Sequence, residues 1–396
     1  MKVLVLSHLY PAPGNDRHLF VHDQARALTA LGVDVRVISP TPWVPLLPGL
    51  PERQRRRATK PAKAVRDGIP VVYPRVIQPP RRVAFARLAD LHYAGMRRLV
   101  PGLRGAGLDL IHAHQALPDG GAAQRLAADL GVPFVVTVHG TDVHQNLRHG
   151  GPVAERAAAT LRAAAAVMPV SSAAARDLAG IVPQDRLHVV LNGTSGIDAA
   201  VDPADYLPGR PLLLSVGHLN EHKGMTTVIE ALGQLRRQGR DLHYAIVGTG
   251  RLHDQLVAQA SRLGLADAVH LLGRLPHREV LSLMARAEVF VLPSHDEAFG
   301  LVYVEAMSQG TPVIGCRDEG CADFIVDGES GRLVPPRDPE AVAREVARLL
   351  DDADHAAQVG AAGRTVAATL TWERNARLTF QVYEQALRVA PRKESS

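Results

Sequence analysis

The sequence predicts an α/β protein built from two doubly wound, Rossmann-like domains. Short aliphatic runs alternate with amphipathic stretches along nearly the whole chain. The alternation breaks once, from Thr194 to Arg210, where periodicity is lost and Gly, Asp and Pro accumulate. At 396 residues the chain exceeds one ordinary core and suits two. The expected division is residues 1–195, a linker at 196–210, residues 211–370, and a C-terminal helix over 371–396 placed to pack back onto the first domain.

The first half opens as strand VLVLS (3–7), a Pro/Gly loop, a helix over RHLFVHDQARALTALG and strand VDVRVIS (33–39), which puts a ligand loop after the first strand. A Pro- and Arg-rich excursion from Thr41 to Arg82 follows, and its length predicts a functional or mobile insertion rather than a compact connection. The pattern resumes with DLIHAH (109–114), a helix from about Asp119, FVVTVHG (134–140), a helix from about Val153, AVMPVS (166–171) and HVVLNG (188–193). The second half runs PLLLSVG (211–217), a helix after Lys223, HYAIVG (243–248), a helix after Gly250, AVHLLG (268–273), a helix from Pro276 and EVFVLP ending at Pro293. No fixed-period repeat is present, which excludes a solenoid.

Hydrophobic content of 46% with 21% charged residues is that of a globular chain, and no run approaches a membrane span. The opening MKVLVLS is too short an apolar run for a signal-peptide core. Cys316 and Cys321 cannot make a disulfide framework and read as reduced thiols, so a cytoplasmic location is expected. The net charge of +5 is unevenly spread: residues 51–104 hold fourteen Lys and Arg against Glu52, Asp67 and Asp90. That window is either a solvated basic loop or a face for an anionic membrane surface or acidic acceptor. It lacks regularly interleaved aromatics and any nucleic-acid module, so nucleic acid is not expected as a partner.

The stretch PSHDEAFGLVYVEAMSQGTP (293–312) carries the strongest chemical signal. Between Ala298 and Cys316 its single charged side chain is Glu305, which needs a cation or ligand hydroxyls to justify its place in an apolar helix. Glu297 stands just before that helix, whose N-terminus suits a phosphate. In open α/β sheets ligands bind beyond the carboxyl ends of the strands. There this half supplies GHLNEHKG (217–224), GTGR (248–251), GRL (273–275) and HDEAFG (295–300). Glycines for close approach, Lys223 as a cation and two carboxylates for hydroxyls together fit a nucleotide diphosphate bearing a sugar. His112 and His114 share a strand face and could with His139 ligate zinc, but no carboxylate or Cys completes a set by spacing, so no metal is expected. Asp352 and Asp354 read as solvated residues of a polar helix rather than a metal-binding D-x-D on a strand-end loop.

GHLNEHKG followed by E-A-F-G-L-V-Y-V-E and A-M-S-Q-G-T-P-V-I resembles glycosyltransferase family 4, retaining enzymes of the GT-B fold. YPAPG, IHAHQALPDG, VTVHGTDV and the PVS…LNG run fall in the family's order, so the resemblance spans nearly the whole chain. The N-terminal half is similar to that of cell-wall and surface-polysaccharide members. The resemblance implies an acceptor-binding first domain and a nucleotide-sugar-binding second domain facing a central cleft. It implies that Glu305 receives the ribose hydroxyls, Glu297 the donor sugar's hydroxyls, and that Lys223 neutralises the diphosphate. Phe299, Gly300 and Leu301 would complete the cradle through their amides, Arg274 and Leu275 would flank the base, and Gly217 and Gly248 would lie at the strand ends beside it. Gly14 would let the first-domain loop approach the diphosphate, and His139 would face the donor sugar.

One position departs from the family. His218 stands where Arg is usual, so His218 would give a hydrogen bond to the diphosphate or Arg251 would take over that role. The implied reaction is transfer of a hexosyl group from a nucleotide sugar, UDP expected, to a hydroxyl of a glycan or lipid-linked acceptor. It would proceed with retention and without metal or cofactor, peripherally at the inner membrane face. The alternatives are another GT-B activity, phosphorylase or nucleotide-sugar epimerase, or a nucleotide-sugar-binding protein without catalysis.

Overall fold

The structure is a computed structural model and describes residues 1–13, 19–79, 85–148, 150–194 and 209–389. The chain divides into two compact units, Met1–Gly193 with Trp372–Ser396, and Thr194–Thr371.

The first unit begins with β1 (Lys2–Leu6), α1 (Leu19–Ala30), β2 (Asp34–Ile38) and β3 (Thr41–Pro42). It continues through α2 (Glu52–Ala58), β4 (Lys63–Arg66), β5 (Ile69–Val72), β6 (Arg75–Val76), α3 (Leu88–Met96) and α4 (Val100–Gly105). It then runs β7 (Leu110–His114), α5 (Gly121–Leu130), β8 (Phe134–Val138), α6 (Gly151–Ala163), β9 (Ala166–Pro169) and α7 (Ser172–Asp177). The seven-stranded sheet has the order β4-β5-β2-β1-β7-β8-β9, with only the edge strand β4 antiparallel to its neighbour. Counting the parallel strands alone, this is the doubly wound order 3-2-1-4-5-6. Strands covered on both faces are mostly apolar, and LIHAH and FVVTV are buried at every position, their polar His112 and Thr137 bonded to each other. Val3 and Val5 of β1 point into one core layer, Leu4 and Leu6 into the other.

The second unit holds β10 (Leu212–Val216), α8 (Met225–Arg237), β11 (His243–Val247), α9 (His253–Arg262) and β12 (Val269–Gly273). After α10 (His277–Arg286) come β13 (Val289–Val291), α11 (Leu301–Ser308), β14 (Val313–Cys316), β15 (Arg332–Val334), α12 (Pro339–Asp351) and α13 (Ala353–Thr369). Its six parallel strands, β12-β11-β10-β13-β14-β15, repeat the 3-2-1-4-5-6 order. The last helix, α14 (Trp372–Val389), belongs to the first unit and packs on α1. Trp372, Ala376, Thr379, Val382, Tyr383 and Ala386 are buried at helical spacing.

Two expectations need correction. Of the expected insertion 41–82, the described residues 41–79 are not a loose excursion, because β5 pairs with β2 as a full member of the sheet and β4 extends it. The reason lies in the alternation of Ile69, Val71 and Tyr73, all buried, which Pro70 and the surrounding arginines obscured. Residues 188–193 do not form a strand. They run extended along β9, with His188 N–H donating to Val167 O at 2.9 Å and Val190 N–H to Pro169 O at 3.0 Å. No helix among the described residues is long and apolar enough to cross a membrane.

Candidate active site

In a doubly wound sheet the crevice opens where strand order reverses, which in the second unit lies between β10 and β13. The segments following these two strands interlock. His295 N–H donates to His222 O at 2.8 Å and Ser294 Oγ to the same carbonyl at 3.0 Å. Gly224, at φ 68°, lets the first segment press against the second, since a Cβ there would stand 2.3 Å from Pro293 O.

These segments bring Lys223 and Glu297 together: the Lys223 ammonium donates to Glu297 Oε2 in a salt bridge. Ser294 Oγ donates to the same oxygen at 3.2 Å. Glu319, beyond β14, accepts the Glu297 backbone N–H at 2.9 Å. The Lys223 stem also runs beside Gly217. Gly300, in a left-handed conformation at φ 86°, turns the chain into α11. No protein acceptor among the described residues takes the amides of Phe299, Gly300 and Leu301. A cation and unpaired helix-end amides thus sit on one strand edge, an arrangement that holds a diphosphate.

Glu305 projects from α11, where the sequence called for a cation or ligand hydroxyls beside it, and a histidine stands there. The Glu305 side chain is 20% exposed and its Oε1 lies 3.1 Å from His277 Nε2. That hydrogen bond, outweighing partial burial, raises the His277 pKa. Arg274 is exposed and Leu275 half-buried just past β12. The His218 ring hydrogen-bonds through Nδ1 to Thr249 O, and Arg251 Nη2 pairs with Glu221 Oε1 at 3.2 Å. The strand-end glycines need a different explanation from phosphate approach alone. At Gly248 a Cβ would stand 1.8 Å from Gly217 O, so this glycine is required for two loops to pass each other.

In the first unit the strand reversal falls between β1 and β7, and polar residues gather at that end. His139 Nε2 lies 3.2 Å from His114 Nδ1, and its ring contacts Phe20. The His139 backbone N–H donates to Asp142 Oδ2 at 3.0 Å, while Asp142 Oδ1 accepts from Ala116 N–H at 2.8 Å. Asp142 is fully buried, and burial outweighs these bonds to push its carboxyl up to about 7. Asp119, also fully buried, holds His8 by its backbone N–H (3.0 Å) and by Nδ1 (2.8 Å). Burial opposes charge on His8, and the Asp119 carboxylate overcomes it, raising the His8 pKa. His112 spends both ring nitrogens, on Tyr383 Oη (2.6 Å) and Thr137 Oγ1 (2.7 Å). It therefore has none left for a metal, and burial pushes it down to about 3. Gly14 lies outside the described residues.

Cys316 and Cys321 are unpaired and buried, with burial raising both thiols, Cys316 to about 12. Asp352 caps α13 by accepting the His355 N–H. Asp142, Asp119, Ser294, Glu319 and His277 had not been singled out from the sequence. Asp119 and Asp142 do carry a legible signal, since each stands a few residues beyond a buried strand that ends the sheet at its ligand side.

Two doubly wound units of matching strand order, with a cation and an anion-ready helix end at a strand reversal, define a sugar-transferring enzyme of the GT-B class. The comparisons agree in both halves. The family described as "Glycosyl transferases group 1" matches residues 204–366, and "Glycosyl transferase 4-like domain" matches 18–193. A glycogen synthase of Mycobacterium tuberculosis is 31% identical over 98% of this chain and 95% of its own length. The chain belongs to glycosyltransferase family 4 and is a hexosyltransferase. Among solved structures, sucrose-phosphate synthase of Thermosynechococcus elongatus superposes with a TM-score of 0.75 at 22% identity, covering 97% of this chain and 99% of that one. Anabaena Alr3699/HepE in complex with UDP gives 0.72 at 19% identity, covering 96% and 99%.

Proposed function

We propose that this enzyme moves a hexosyl group from a UDP-sugar to a hydroxyl of a lipid-linked or envelope glycan, with retention of configuration and without a metal. The observation that carries the reading is the salt bridge between Lys223 and Glu297 beside the unpaired amides of 299–301. A donor diphosphate would draw the Lys223 ammonium to itself and release the Glu297 carboxylate for sugar hydroxyls. Charge growing on the departing diphosphate would be met by Lys223 and these amides, and by His218 Nε2 only when both ring nitrogens carry protons, since Nδ1 already donates to Thr249 O; each such donor contributes about 3 kcal/mol in comparable sites. Retention would follow from attack by the acceptor hydroxyl on the leaving-group face. Its proton would pass to the departing phosphate oxygen. Glu305 would take the ribose hydroxyls in exchange for His277, and His139 would serve the donor sugar. UDP is favoured as the carrier because Alr3699/HepE is described bound to it.

We place the enzyme in the cytoplasm, peripherally at the inner membrane face. Trp43, Leu46 and Leu47 are 64%, 70% and 57% exposed and lead directly into α2, whose Arg55 and Arg56 are also exposed. Thermal denaturation with UDP-, GDP- and ADP-sugars tests the donor reading, since a ligand bound to the native state raises the melting temperature. A shift with UDP-sugars is expected; a shift with another nucleotide's sugars alone would overturn the choice of UDP.

A further inference from the structure

One group of side chains in the second unit is not used by sugar transfer as proposed. His222, His295 and Asp296 each offer a ligand atom, and these atoms lie within 4.8 Å of one another. Among the described residues no other group of three His, Cys, Asp or Glu side chains is so placed. His222 Nδ1 and Asp296 Oδ2 are 3.2 Å apart, close to the ~3.3 Å that separates two ligands bound about 2.0 Å from one tetrahedral zinc ion. The backbone hydrogen bond from His295 N–H to His222 O holds the two segments in register, so the group is assembled before any ion arrives. His295 Nδ1 is buried without a hydrogen-bond partner. Burial, with Arg337 second, lowers the His295 pKa, which leaves the ring in the neutral form that a metal requires.

We propose that His222, His295 and Asp296 form a binding site for a divalent transition metal of the zinc class, with the remaining coordination positions open to water. Two imidazoles and one carboxylate suit such an ion, whereas magnesium and calcium prefer oxygen sets. The site adjoins Lys223 and Glu297 in sequence, so an ion there would tie together the two segments that carry them. It is separate from the proposed chemistry, which needs no metal, and it stands or falls independently of the UDP reading. Arg337 opposes the ion, because its Nη2 donates to His295 Nε2 at 3.2 Å and its charge repels a dication.

The test is titration of the full chain with Zn²⁺ by calorimetry and with Co²⁺ by visible absorption, in the absence of nucleotide. One site of micromolar affinity and a Co²⁺ band of low coordination number are expected. His222→Ala and His295→Ala should each weaken binding at least tenfold, while Arg337→Gln should tighten it. His222 is exposed, so its replacement leaves the fold intact. His243→Ala is the control, because His243 and His270 form a separate pair at 2.9 Å. Absence of stoichiometric binding, unchanged affinity in His222→Ala, loss of binding in His243→Ala, or no tightening in Arg337→Gln would each overturn the assignment.

Discussion

Glu297 and Glu305 are both carboxylates at the edge of one sheet, yet their surroundings give them different work. Glu297 is tied to Lys223 and Ser294, where phosphate and sugar would meet, whereas Glu305 is held a turn into α11 by a half-exposed histidine. Glu305→Ala should therefore weaken UDP binding about 10- to 100-fold, the range for a lost hydrogen bond to a charged group, as read by calorimetry. Glu297→Ala should leave that affinity nearly intact and slow turnover about 100-fold or more; the opposite pattern would reverse the assigned roles. Asp142 makes a stability prediction. Its folded pKa of about 7 lies above the ordinary aspartate value of 3.8, so between the two the folded state holds a proton that the unfolded chain has released. Its contribution is fully present below about pH 4 and is lost as pH rises toward 7. Asp142→Asn cannot ionise and should flatten this part of the urea-unfolding profile. An unchanged slope would show that Asp142 does not titrate there.

At the scale of elements, α14 shows how a terminal helix completes a core laid down by the start of the chain. Gln24 on α1 donates to Asn375 Oδ1 at 2.7 Å, and Asn375 Nδ2 donates to Leu191 O at 2.7 Å, with Gln24 and Asn375 both buried at the helix face. Asn375→Ala strands both partners and should cost about 2–4 kcal/mol. The loss should appear as faster amide exchange in β1 and β7 with β10 and β11 unaffected; equal loss in both units would contradict the division of the chain. The loops follow a similar logic. Gly248→Ala forces the backbone off Gly217 O and displaces the segment leading to Lys223, so turnover should fall about 100-fold, the effect of a ~1 Å misplacement. These elements were legible in the sequence to unequal degrees. Runs such as LIHAH and FVVTV, largely apolar, announced central parallel strands, because burial on both faces admits polar residues only where they are paired, as His112 is with Thr137. The outer strands did not: the edge strand β4 reads KAVR, half solvated, and its neighbour β5 contains Pro70, so composition pointed to a loop where pairing made a sheet.

For the whole molecule, the strand reversals placed the candidate site from sequence order alone, but pairwise contacts were beyond it. Nothing in the spacing of Lys223 and Glu297 reveals that they meet, since 3-2-1-4-5-6 ordering is what lays β13 against β10. The same holds for the +11 window, whose charge was plain while its disposition was not. Arg75 donates to the carbonyls of Arg57, Ala58 and Lys60, Arg66 to Ala12 O, and Arg104 to Asp129 O, so much of the positive charge serves the fold. Of the others among the described residues, Arg55, Arg56, Lys63, Arg87, Arg97 and Arg98 remain exposed, and of these Arg55 and Arg56, the latter paired with Glu52, lie on α2, preceded by the exposed Trp43, Leu46 and Leu47. On the membrane reading proposed above, an indole and two leucines beside a short basic helix would form an interfacial anchor of modest strength, each cation adding about 1 kcal/mol near an anionic leaflet. The enzyme should sediment with phosphatidylglycerol-containing vesicles at low ionic strength, and binding should weaken as salt shortens the screening length to about 3 Å at 1 M. Arg55→Glu with Arg56→Glu should remove the salt-sensitive part, and Trp43→Ser with Leu46→Ser the remainder. Neither pair should alter turnover of a water-soluble acceptor, because none of these residues belongs to the transfer machinery. Binding that ignored both salt and lipid charge would mean that this face meets solvent and that the acceptor is recruited elsewhere.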